Sequence, residues 1–405
     1  MGVFVQKFGG TSVADLDRIR NVARRVRATY DKGHNVVVIL SAMAGVTDNL
    51  IEMAGKVTDR PERRELDVLL STGEQTTAAL LAMILIADGY PAQSLLGYQA
   101  QVRTDCSYGR ARILNVGTER IQSLLDQRKI VVVAGFQGCD AEGNITTLGR
   151  GGSDTSAVAI AAGMKADVCE IYTDVDGIYT TDPHICRQAR KLRRISYDEM
   201  LEMASLGARV LQIRSVEFAK KYNVPVHVRS SFSEEEGTMV MDENIDMERL
   251  VVSGVTCSKN EARIAIKGVP DQPGIAARVL TPVSDAGINI DMIIQSSPHD
   301  ERNNMAFTVP RTEFGRAMEI MERVKAEIGA DRVNGDMNIA KVSVVGVGMK
   351  SHSGVAAKMF QALADENINI RMISTSEIHI SCVITEKYAE LAVRTLHNAF
   401  ELDKA

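Results

Sequence analysis

A repeated segment near the C-terminal end of the chain constrains the fold more than any other feature. Residues 274–296 align with residues 354–376 at an offset of 80, and ten of the 23 aligned positions are identical. Each copy has the pattern of a strand, a glycine turn, an amphipathic helix, an Asn-x-Ile turn and a second strand. A unit of this size is a poor core alone, so we expect the two copies to pack together. The spacing leaves open whether the duplication is purely structural or holds a ligand.

A different pattern covers residues 1 to about 230, where short apolar runs rich in β-branched residues alternate with helical periodicity. Residues 15–32 carry one apolar stripe of helical spacing, and Gly33 supplies a stop. Buried strands are predicted over residues 3–5, 36–40, 130–134 and 168–172. This alternation predicts an α/β fold, with a mostly parallel sheet and helices on both faces. Ligands bind at the carboxyl ends of the strands in such folds.

Composition excludes several classes of protein. The 405 residues suit two or three domains, and a formal charge of −5 with 4% aromatic residues argues against nucleic-acid binding. The six cysteines are scattered, which gives neither a disulfide framework nor a CxxC metal site. The longest apolar run, residues 78–87, is too short to span a membrane and predicts a buried helix. With no signal-peptide pattern at the N-terminus, we expect a cytoplasmic protein.

The first candidate site is the sequence KFGGTS at residues 7–12. Lys7 ends a predicted strand, and Gly9 and Gly10 let backbone N–H groups approach an anion closely. The lysine precedes the glycines, so this is not a Walker A loop. A tight strand–helix turn with an exposed lysine is the alternative explanation.

The second candidate site is TLGRGGSDT at residues 147–155, which leads into a predicted helix over residues 155–164. Arg150 lies among three glycines, and Asp154 follows them. The pattern indicates backbone exposed to a ligand. A flexible loop in which Ser153 or Asp154 caps the helix is the alternative, and capping is compatible with anion binding.

Two further segments carry polar groups at predicted strand ends, and a carboxylate precedes the apolar helix. Residues 173–183, TDVDGIYTTDP, combine hydroxyls and carboxylates that suit a ribose and base, although a solvated turn would look similar. Residues 41–47 form another glycine-containing loop. Glu74 stands just ahead of the strongly apolar helix, where a first-turn helix charge is the simplest explanation.

Together these motifs resemble the amino acid kinase superfamily, and KFGGTS, TLGRGGSDTSA and YTDVDGIYTTDP resemble those of the aspartate kinases. The tandem repeat resembles two ACT domains, so the resemblance covers essentially the whole chain. It is strongest to the lysine-pathway enzymes that lysine and threonine inhibit jointly. The implied fold is an amino-acid-kinase-like sheet followed by two α+β, ferredoxin-like ACT domains.

The resemblance also implies domain boundaries. The polar stretch at residues 230–237 and the charged stretch at 242–249 interrupt the strand–helix pattern. The predicted division is a catalytic domain over 1–235, a linker over 236–250 and a regulatory region over 251–405. Its ACT domains would cover about 262–337 and 338–405, with a strand at 250–262 joining the second.

The resemblance assigns roles to individual residues. Lys7 and Asp154 match the catalytic pair. The residues that match substrate-binding positions are Thr47, Glu74, Arg150, Gly151, Gly152 and Ser153. Those that match nucleotide-binding positions are Lys7, Gly9, Gly10, Ser41, Thr173, Asp174, Tyr179, Asp182 and Arg209. His184 and Arg209 depart from the residues common at these positions in the family.

In the regulatory region, Asp271 and the backbone around Gly274 match an effector loop. The second copy has Ser351 in place of Asp271, so the two copies are not equivalent. The expected threonine-site residues are Asp271, Pro273, Gly274, Ile275, Ala276, Gln295, Asn367, Ile368 and Asn369. Met247 resembles an internal start from which some relatives make a separate regulatory subunit.

The function implied is ATP-dependent phosphorylation of the L-aspartate β-carboxylate, with Mg²⁺ held mainly by the nucleotide phosphates and no metal site in the protein. Threonine and lysine are the expected effectors, and assembly into a homo-oligomer through the ACT domains is expected. Glutamate 5-kinase, carbamate kinase and uridylate kinase are the nearest alternatives. A non-catalytic amino-acid sensor with a retained kinase fold is the alternative from another class.

Overall fold

The computed structural model describes residues 2–208, 210–242, 251–296 and 302–404 and divides into two compact units. Within the described residues, the first unit comprises residues 2–178, 191–205 and 210–242. The second comprises 179–190, 206–208, 251–296 and 302–404. The short segment 179–190 thus belongs to the second unit, although the chain enters and leaves it from the first.

The first unit contains twelve strands and seven helices among its described residues. In chain order they are β1 (Val3–Phe8), α1 (Leu16–Asp31), β2 (Asn35–Leu40), α2 (Val46–Val57), α3 (Arg63–Ala87), β3 (Ala92–Leu95), β4 (Val102–Thr104), β5 (Ile113–Val116), α4 (Glu119–Asp126), β6 (Ile130–Ala134), β7 (Gln137–Cys139), β8 (Ile145–Thr147), α5 (Gly152–Met164), β9 (Val168–Thr173), β10 (Arg194–Ser196), α6 (Tyr197–Ser205), α7 (Ile213–Tyr222), β11 (Val226–Ser230) and β12 (Thr238–Met241).

An eight-stranded sheet forms the centre of this unit, with the order β10-β12-β11-β9-β1-β2-β6-β3. Strand β1 pairs in parallel with β2 and β9, so Lys7 lies between Ile39 and Ile171. Helices α1 and α3 pack their apolar faces on one side of the sheet. Helix α5 contacts β1, and a smaller sheet, β5-β4-β7-β8, lies beside the main one. The parallel sheet predicted from the alternating pattern is confirmed.

The predicted elements agree with the structure except at three places. Helix α5 begins at Gly152 instead of residue 155, because Gly151 adopts a left-handed conformation that permits an earlier start. Helix α3 begins at Arg63, so Glu74 lies in its middle and not in a first turn. Strand β12 falls inside the predicted linker but pairs with β10 and β11, so the main sheet extends beyond residue 235.

Helix α3 is apolar enough to resemble a membrane span by length and composition, with an 18-residue window of mean hydropathy 1.4. Half of that window is buried inside the unit. Leu81 and Leu85 belong to the core beneath the sheet and are fully buried. The apolar run at residues 78–87 is therefore the C-terminal part of a core helix, as predicted.

The second unit contains eight strands and four helices among its described residues. They are β13 (Gly254–Ser258), β14 (Glu261–Pro270), α8 (Ile275–Asp285), β15 (Ile293–Gln295), β16 (Arg302–Pro310), α9 (Phe314–Ile328), β17 (Arg332–Asp336), β18 (Ile339–Val345), α10 (Val355–Asp365), β19 (Met372–Thr375), β20 (His379–Thr385) and α11 (Ala389–Ala399).

The two copies of the repeat form two four-stranded antiparallel sheets. The first has the order β15-β16-β14-β17, and its four strands come from the chain around the first copy, residues 261–336. The second has the order β13-β18-β20-β19. Three of its strands come from residues 339–385, but its edge strand β13 comes from residues 254–258, ahead of the whole first sheet. Met292 and Met372, which occupy equivalent positions, pack in a shared cluster with Ile339 and Val383. The expected packing of the two copies against each other is thus confirmed.

A buried ion cluster also joins the two copies. Lys341 on β18 is 3% exposed, and its Nζ lies 2.7 Å from Glu261 of β14 and close to Asp291. Burial would disfavour the charged lysine, but the two carboxylates outweigh it and raise the pKa of Lys341. The lysine therefore stays protonated at neutral pH.

We expect Lys341→Ala to lower the free energy of unfolding by about 3 kcal/mol, because the Glu261 carboxylate, only 13% exposed, loses its counter-charge. Urea unfolding followed by far-UV circular dichroism measures this in the full chain. Lys404→Ala is the matched control, since its pair with Glu401 is exposed and should contribute below about 1 kcal/mol. Equal stabilities of the two variants would contradict the expectation.

Candidate functional site

The carboxyl end of β1 presents a buried ion pair. Lys7 Nζ lies 2.5 Å from Asp154 Oδ1, and the two residues are only 8% and 7% exposed. Asp154 lies in the first turn of α5, where the helix dipole and the free backbone N–H groups favour an anion. The structure therefore brings together the two residues predicted to be catalytic.

The loop after β1 lies against the loop after β2. Gly9 N donates to Tyr172 O at 3.2 Å, and Ala44 N donates to Gly10 O at 3.2 Å. A Cβ added at Gly10 would lie 2.9 Å from Ala42 O, closer than real Cβ atoms approach a backbone oxygen. Glycine is therefore required at position 10 for the two loops to meet, as the KFGGTS motif suggested.

The loop over residues 41–47 is fixed from two sides. Ser41 N donates to Phe8 O at 3.1 Å, and Thr77 Oγ1 of α3 donates to Ser41 O at 2.8 Å. Gly45, in a left-handed conformation, precedes α2 and places Thr47 in the first turn of that helix. Ser41 and Thr47 thus flank one loop that contacts both the β1 loop and α3.

Glu74 is a buried carboxylate with one unused oxygen. Its Oε1 accepts from Ala42 N at 3.1 Å, and among the described residues its Oε2 has no hydrogen-bond partner. The residue is 3% exposed, and this burial raises the pKa of Glu74 to about 7. An oxygen of this kind is suited to a bound cation, such as an ammonium group, because an unpaired buried acceptor is costly.

The sequence placed Glu74 in a first turn because the strongly apolar helical run follows it, with polar residues before it. Those polar side chains in fact bond to the helix itself: Ser71 Oγ donates to Val68 O, and Thr72 Oγ1 donates to Leu69 O. Gly73 packs against Ala42, and its missing Cβ lets the loop approach α3. The polar stretch therefore continues the helix and faces the site.

Arg150 lies in the four-residue link between β8 and α5. The flanking residues Gly149 and Gly151 have φ values of 77° and 73°, a conformation that favours glycine. Arg150 is exposed, whereas Gly152 and Ser153 are buried in the first turn of α5. The predicted glycine turn into a helix is confirmed, and the guanidinium projects from a loop.

The predicted nucleotide residues divide between the units. Thr173 ends β9 and donates through Oγ1 to Asp174 at 3.1 Å in the first unit. Tyr179 and Asp182 lie in the segment 179–190 of the second unit. Thr180 ties that segment to its unit, since its O accepts from Val255 N at 2.7 Å and its Oγ1 lies 3.0 Å from His397 Nε2. Arg209 and Met247 lie outside the described residues.

The effector loop predicted in the first copy leads into α8. Gly274 precedes that helix with a φ of 85° and no side-chain cap, and Ile275 N donates to Gln272 O at 3.2 Å within the loop. Asp271 and Pro273 are exposed beside it. Gln295 on β15 is also exposed. In the turn of the second copy, Asn367 and Asn369 are exposed and Ile368 between them is buried.

Sequence reasoning missed a second residue at this loop. Asn303 Nδ2 donates to Asp271 Oδ1 at 3.3 Å, and the residue is 1% exposed. Its Oδ1 has no hydrogen-bond partner among the described residues. The sequence did contain a signal, which is a polar residue in an otherwise apolar alternation. Asn303 lies on the inward face of β16, and the other residues on that face, Met305, Phe307 and Val309, form the core.

Comparisons with known proteins support the same interpretation. The model for the amino acid kinase family matches residues 2–230, and ACT domain models match residues 263–329 and 342–400. An aspartate kinase of Pseudomonas putida is 56% identical over 404 residues, which cover all of this chain and 98% of that protein. The chain belongs to the aspartate kinase family. Its members are phosphotransferases that use a carboxyl group as the acceptor.

Solved structures of the family share the fold. Aspartokinase III of E. coli in complex with aspartate and ADP, in the R-state, aligns with a TM-score of 0.79 at 26% identity, covering 98% of this chain and 99% of that one. The same enzyme in complex with lysine and aspartate, in the T-state, aligns equally well at 27% identity over the same shares. The kinase fold followed by ACT domains is therefore shown for this chain.

We expect Glu74 to titrate near pH 7. Because burial raises its pKa, the neutral acid predominates below pH 7 and the carboxylate above it, whereas exposed glutamates ionise near pH 4. Carbon-13 NMR of protein labelled at the glutamate carboxyl carbon should show one resonance with a midpoint near 7 that is absent from Glu74→Gln. A Glu74 resonance with a midpoint near 4 would contradict the burial argument.

Proposed function

We propose that the chain transfers the γ-phosphoryl group of ATP to the β-carboxylate of L-aspartate, forming 4-phospho-L-aspartate and ADP. This is the first step toward lysine, threonine, methionine and isoleucine. The observation that carries the proposal is the unused oxygen of buried Glu74. From α3, Glu74 binds the loop after β2, and that loop contacts the loop that follows Lys7. Lys7 in turn pairs with Asp154. A cation site beside a phosphate site is what an amino acid kinase requires.

The substrate side follows from charge. Glu74 Oε2 pairs with the α-ammonium of aspartate, and the Arg150 guanidinium binds the α-carboxylate through its planar fork. Thr47, Gly151, Gly152 and Ser153 line the same loops and complete the substrate residues. Because one residue binds the substrate ammonium and the other binds its α-carboxylate, the pair selects an α-amino acid over a simple carboxylic acid.

The transfer itself needs little covalent chemistry from the protein. An oxygen of the aspartate β-carboxylate attacks the γ-phosphorus, the new O–P bond forms, and the bridging oxygen leaves with ADP. The nucleophile is already ionised, so no general base is required. Lys7, with the backbone of Gly9 and Gly10 and with Ser41, neutralises and orients the phosphoryl oxygens. Asp154 holds Lys7 in place through the 2.5 Å contact.

For the nucleotide, the family resemblance supports Thr173, Asp174, Tyr179, Asp182 and Arg209 as residues that hold the ribose and base. ADP in the related E. coli complex supports ATP as the donor. Mg²⁺ would be held mainly by the phosphate oxygens, which is its usual arrangement in kinases. When bound, it supplies further charge neutralisation.

The second unit is proposed to be regulatory. Lysine in the T-state complex of the E. coli enzyme supports an amino-acid effector. At the first copy, Asp271 would bind an ammonium group, and the N-terminus of α8 would bind a carboxylate. The unused Asn303 Oδ1 would accept from a side-chain hydroxyl, which favours threonine. Lysine would act with threonine at a second position.

The second copy lacks both polar groups of this loop. Ser351 replaces Asp271, and the paired strands place Ile378 where the first copy has Asn303, because Phe307 and Cys382 occupy equivalent positions opposite Ile293 and Ile373. This difference supports a single threonine site in the first copy. The proposal includes a cytoplasmic location and a homo-oligomer built through the ACT domains.

The function is tested by aspartate-dependent ADP formation with Mg-ATP, in which hydroxylamine traps the acyl phosphate. We expect a hydroxamate with L-aspartate that is suppressed only when lysine and threonine are both present. A signal that ignores both effectors would keep the kinase and remove the regulatory assignment. Correctly folded protein that binds ATP but gives no hydroxamate would contradict the proposed activity.

We expect Asp271→Ala and Asn303→Leu to raise the threonine concentration for half-inhibition about tenfold, because each removes a hydrogen bond to the effector. Turnover without effectors should stay unchanged, since neither residue lies in the first unit. Ser351→Ala, at the equivalent position of the second copy, is the matched control. Unchanged inhibition by threonine plus lysine in Asp271→Ala would refute the site.

A further inference from the structure

Asp67 is a fully buried carboxylate that the proposed reaction does not use. It lies on α3 and is 0% exposed. Its Oδ2 accepts from Thr147 N at 2.7 Å and from Gly109 N at 2.9 Å, and its Oδ1 accepts from Thr147 Oγ1 at 2.7 Å. Three donors directed at one carboxylate hold it rigid. Asp67 thus fixes Thr147, three residues ahead of Arg150.

Arg214 holds the same two segments through their carbonyl groups. From α7, its Nη1 donates to Leu148 O at 2.6 Å and its Nη2 donates to Ala111 O at 3.0 Å. Ala111 N in turn donates to Thr147 O at 2.9 Å. Together Asp67 and Arg214 clamp residues 147–148 against residues 109–111, one through N–H groups and the other through carbonyl oxygens.

The clamp matters because the Arg150 loop has little stiffness of its own. Gly149 and Gly151 flank Arg150, and glycine has the widest conformational freedom of any residue. On its C-terminal side the loop runs directly into α5 at Gly152. On its N-terminal side, the clamp at Thr147 and Leu148 fixes the chain before the first glycine.

Helix α3 connects this clamp to the other end of the substrate site. Asp67 and Glu74 are seven residues apart, which is close to two turns, so they face the same side about 10 Å apart along the axis. One rigid helix therefore carries the carboxylate that would bind the substrate ammonium and the carboxylate that anchors the Arg150 loop. The distance between the two ends of the substrate site is set by the backbone of α3.

We propose that Asp67 and Arg214 are positioning residues that hold Arg150 at a fixed distance from Glu74 and thereby set selectivity for an amino acid with a free α-carboxylate. The inference rests on the proposed roles of Arg150 and Glu74. Neither positioning residue touches the substrate. Their loss affects recognition of the α-carboxylate more than binding of ATP.

The test compares two acceptors in the full chain, L-aspartate and its α-amide, which keeps the β-carboxylate but lacks the α-carboxylate charge. The ratio of their kcat/KM values measures recognition by Arg150. Asp67→Asn turns an amide N–H toward the donors of Thr147 or Gly109 and is expected to reduce the ratio about tenfold through misplacement of the loop. Arg214→Lys should act in the same direction, with the KM for ATP unchanged.

Thr147→Val and Thr147→Ser provide a finer pair if Asp67→Asn folds poorly. Valine removes only the 2.7 Å hydroxyl bond to Asp67, whereas serine keeps the hydroxyl. Valine should lower the ratio and serine should preserve it. Asp140→Asn is the matched control, because Asp140 is also a buried carboxylate that accepts from backbone N–H groups, at Glu142 and Asn144, but lies in the turn between β7 and β8.

The outcomes distinguish failure of the positioning role from failure of the proposed substrate site. If Arg150→Lys abolishes the discrimination while Asp67→Asn, Arg214→Lys and Thr147→Val leave it intact, the positioning role is overturned and the proposed function stands. If Arg150→Lys itself leaves the ratio unchanged, the substrate role of Arg150 fails. An equal loss in Asp140→Asn would show general loosening of the unit and would also overturn the inference.

Discussion

Strand β1 is the element on which the first unit depends. It pairs in parallel with β2 and β9, so the loops that follow all three strands converge at one edge of the sheet. That convergence brings Gly10 into contact with Ala42, and the packing of α5 on β1 places Asp154 at 2.5 Å from Lys7. Both partners are buried, so the geometry of the pair is fixed by the sheet and by α5 rather than by side-chain flexibility.

Helix α3 carries the second half of the site. Its apolar end forms the core under the sheet, while its polar middle faces the loops. Glu74 reaches the loop after β2, and Asp67 reaches the loop ahead of Arg150. A long helix embedded at one end is a stiff support, so the loop after β2 and the loop ahead of Arg150 are held at a constant separation. The second unit uses a related device, in which the ion cluster around buried Lys341 joins the two copies of the repeat.

The sequence predicted those features that depend on local pattern. The parallel strands and the glycine turns at Gly10 and Gly151 follow from periodicity and from the conformational freedom of glycine. Features that depend on long-range contacts were missed. The polar residues around Glu74 resemble the start of a helix until their hydroxyls are seen to bond within a longer helix. Asp67 shows its importance only through burial and through a partner more than thirty residues away.

The central claim is that Glu74 and Arg150 hold the two ends of an amino acid whose side chain faces Lys7. A crystal structure of the full chain with L-aspartate, Mg²⁺ and a non-hydrolysable ATP analogue tests it most directly. The account predicts the substrate ammonium at Glu74 Oε2, the α-carboxylate at Arg150 and the γ-phosphate at Lys7. Aspartate bound with its ammonium away from Glu74, or with its α-carboxylate held by residues other than Arg150, would contradict the account.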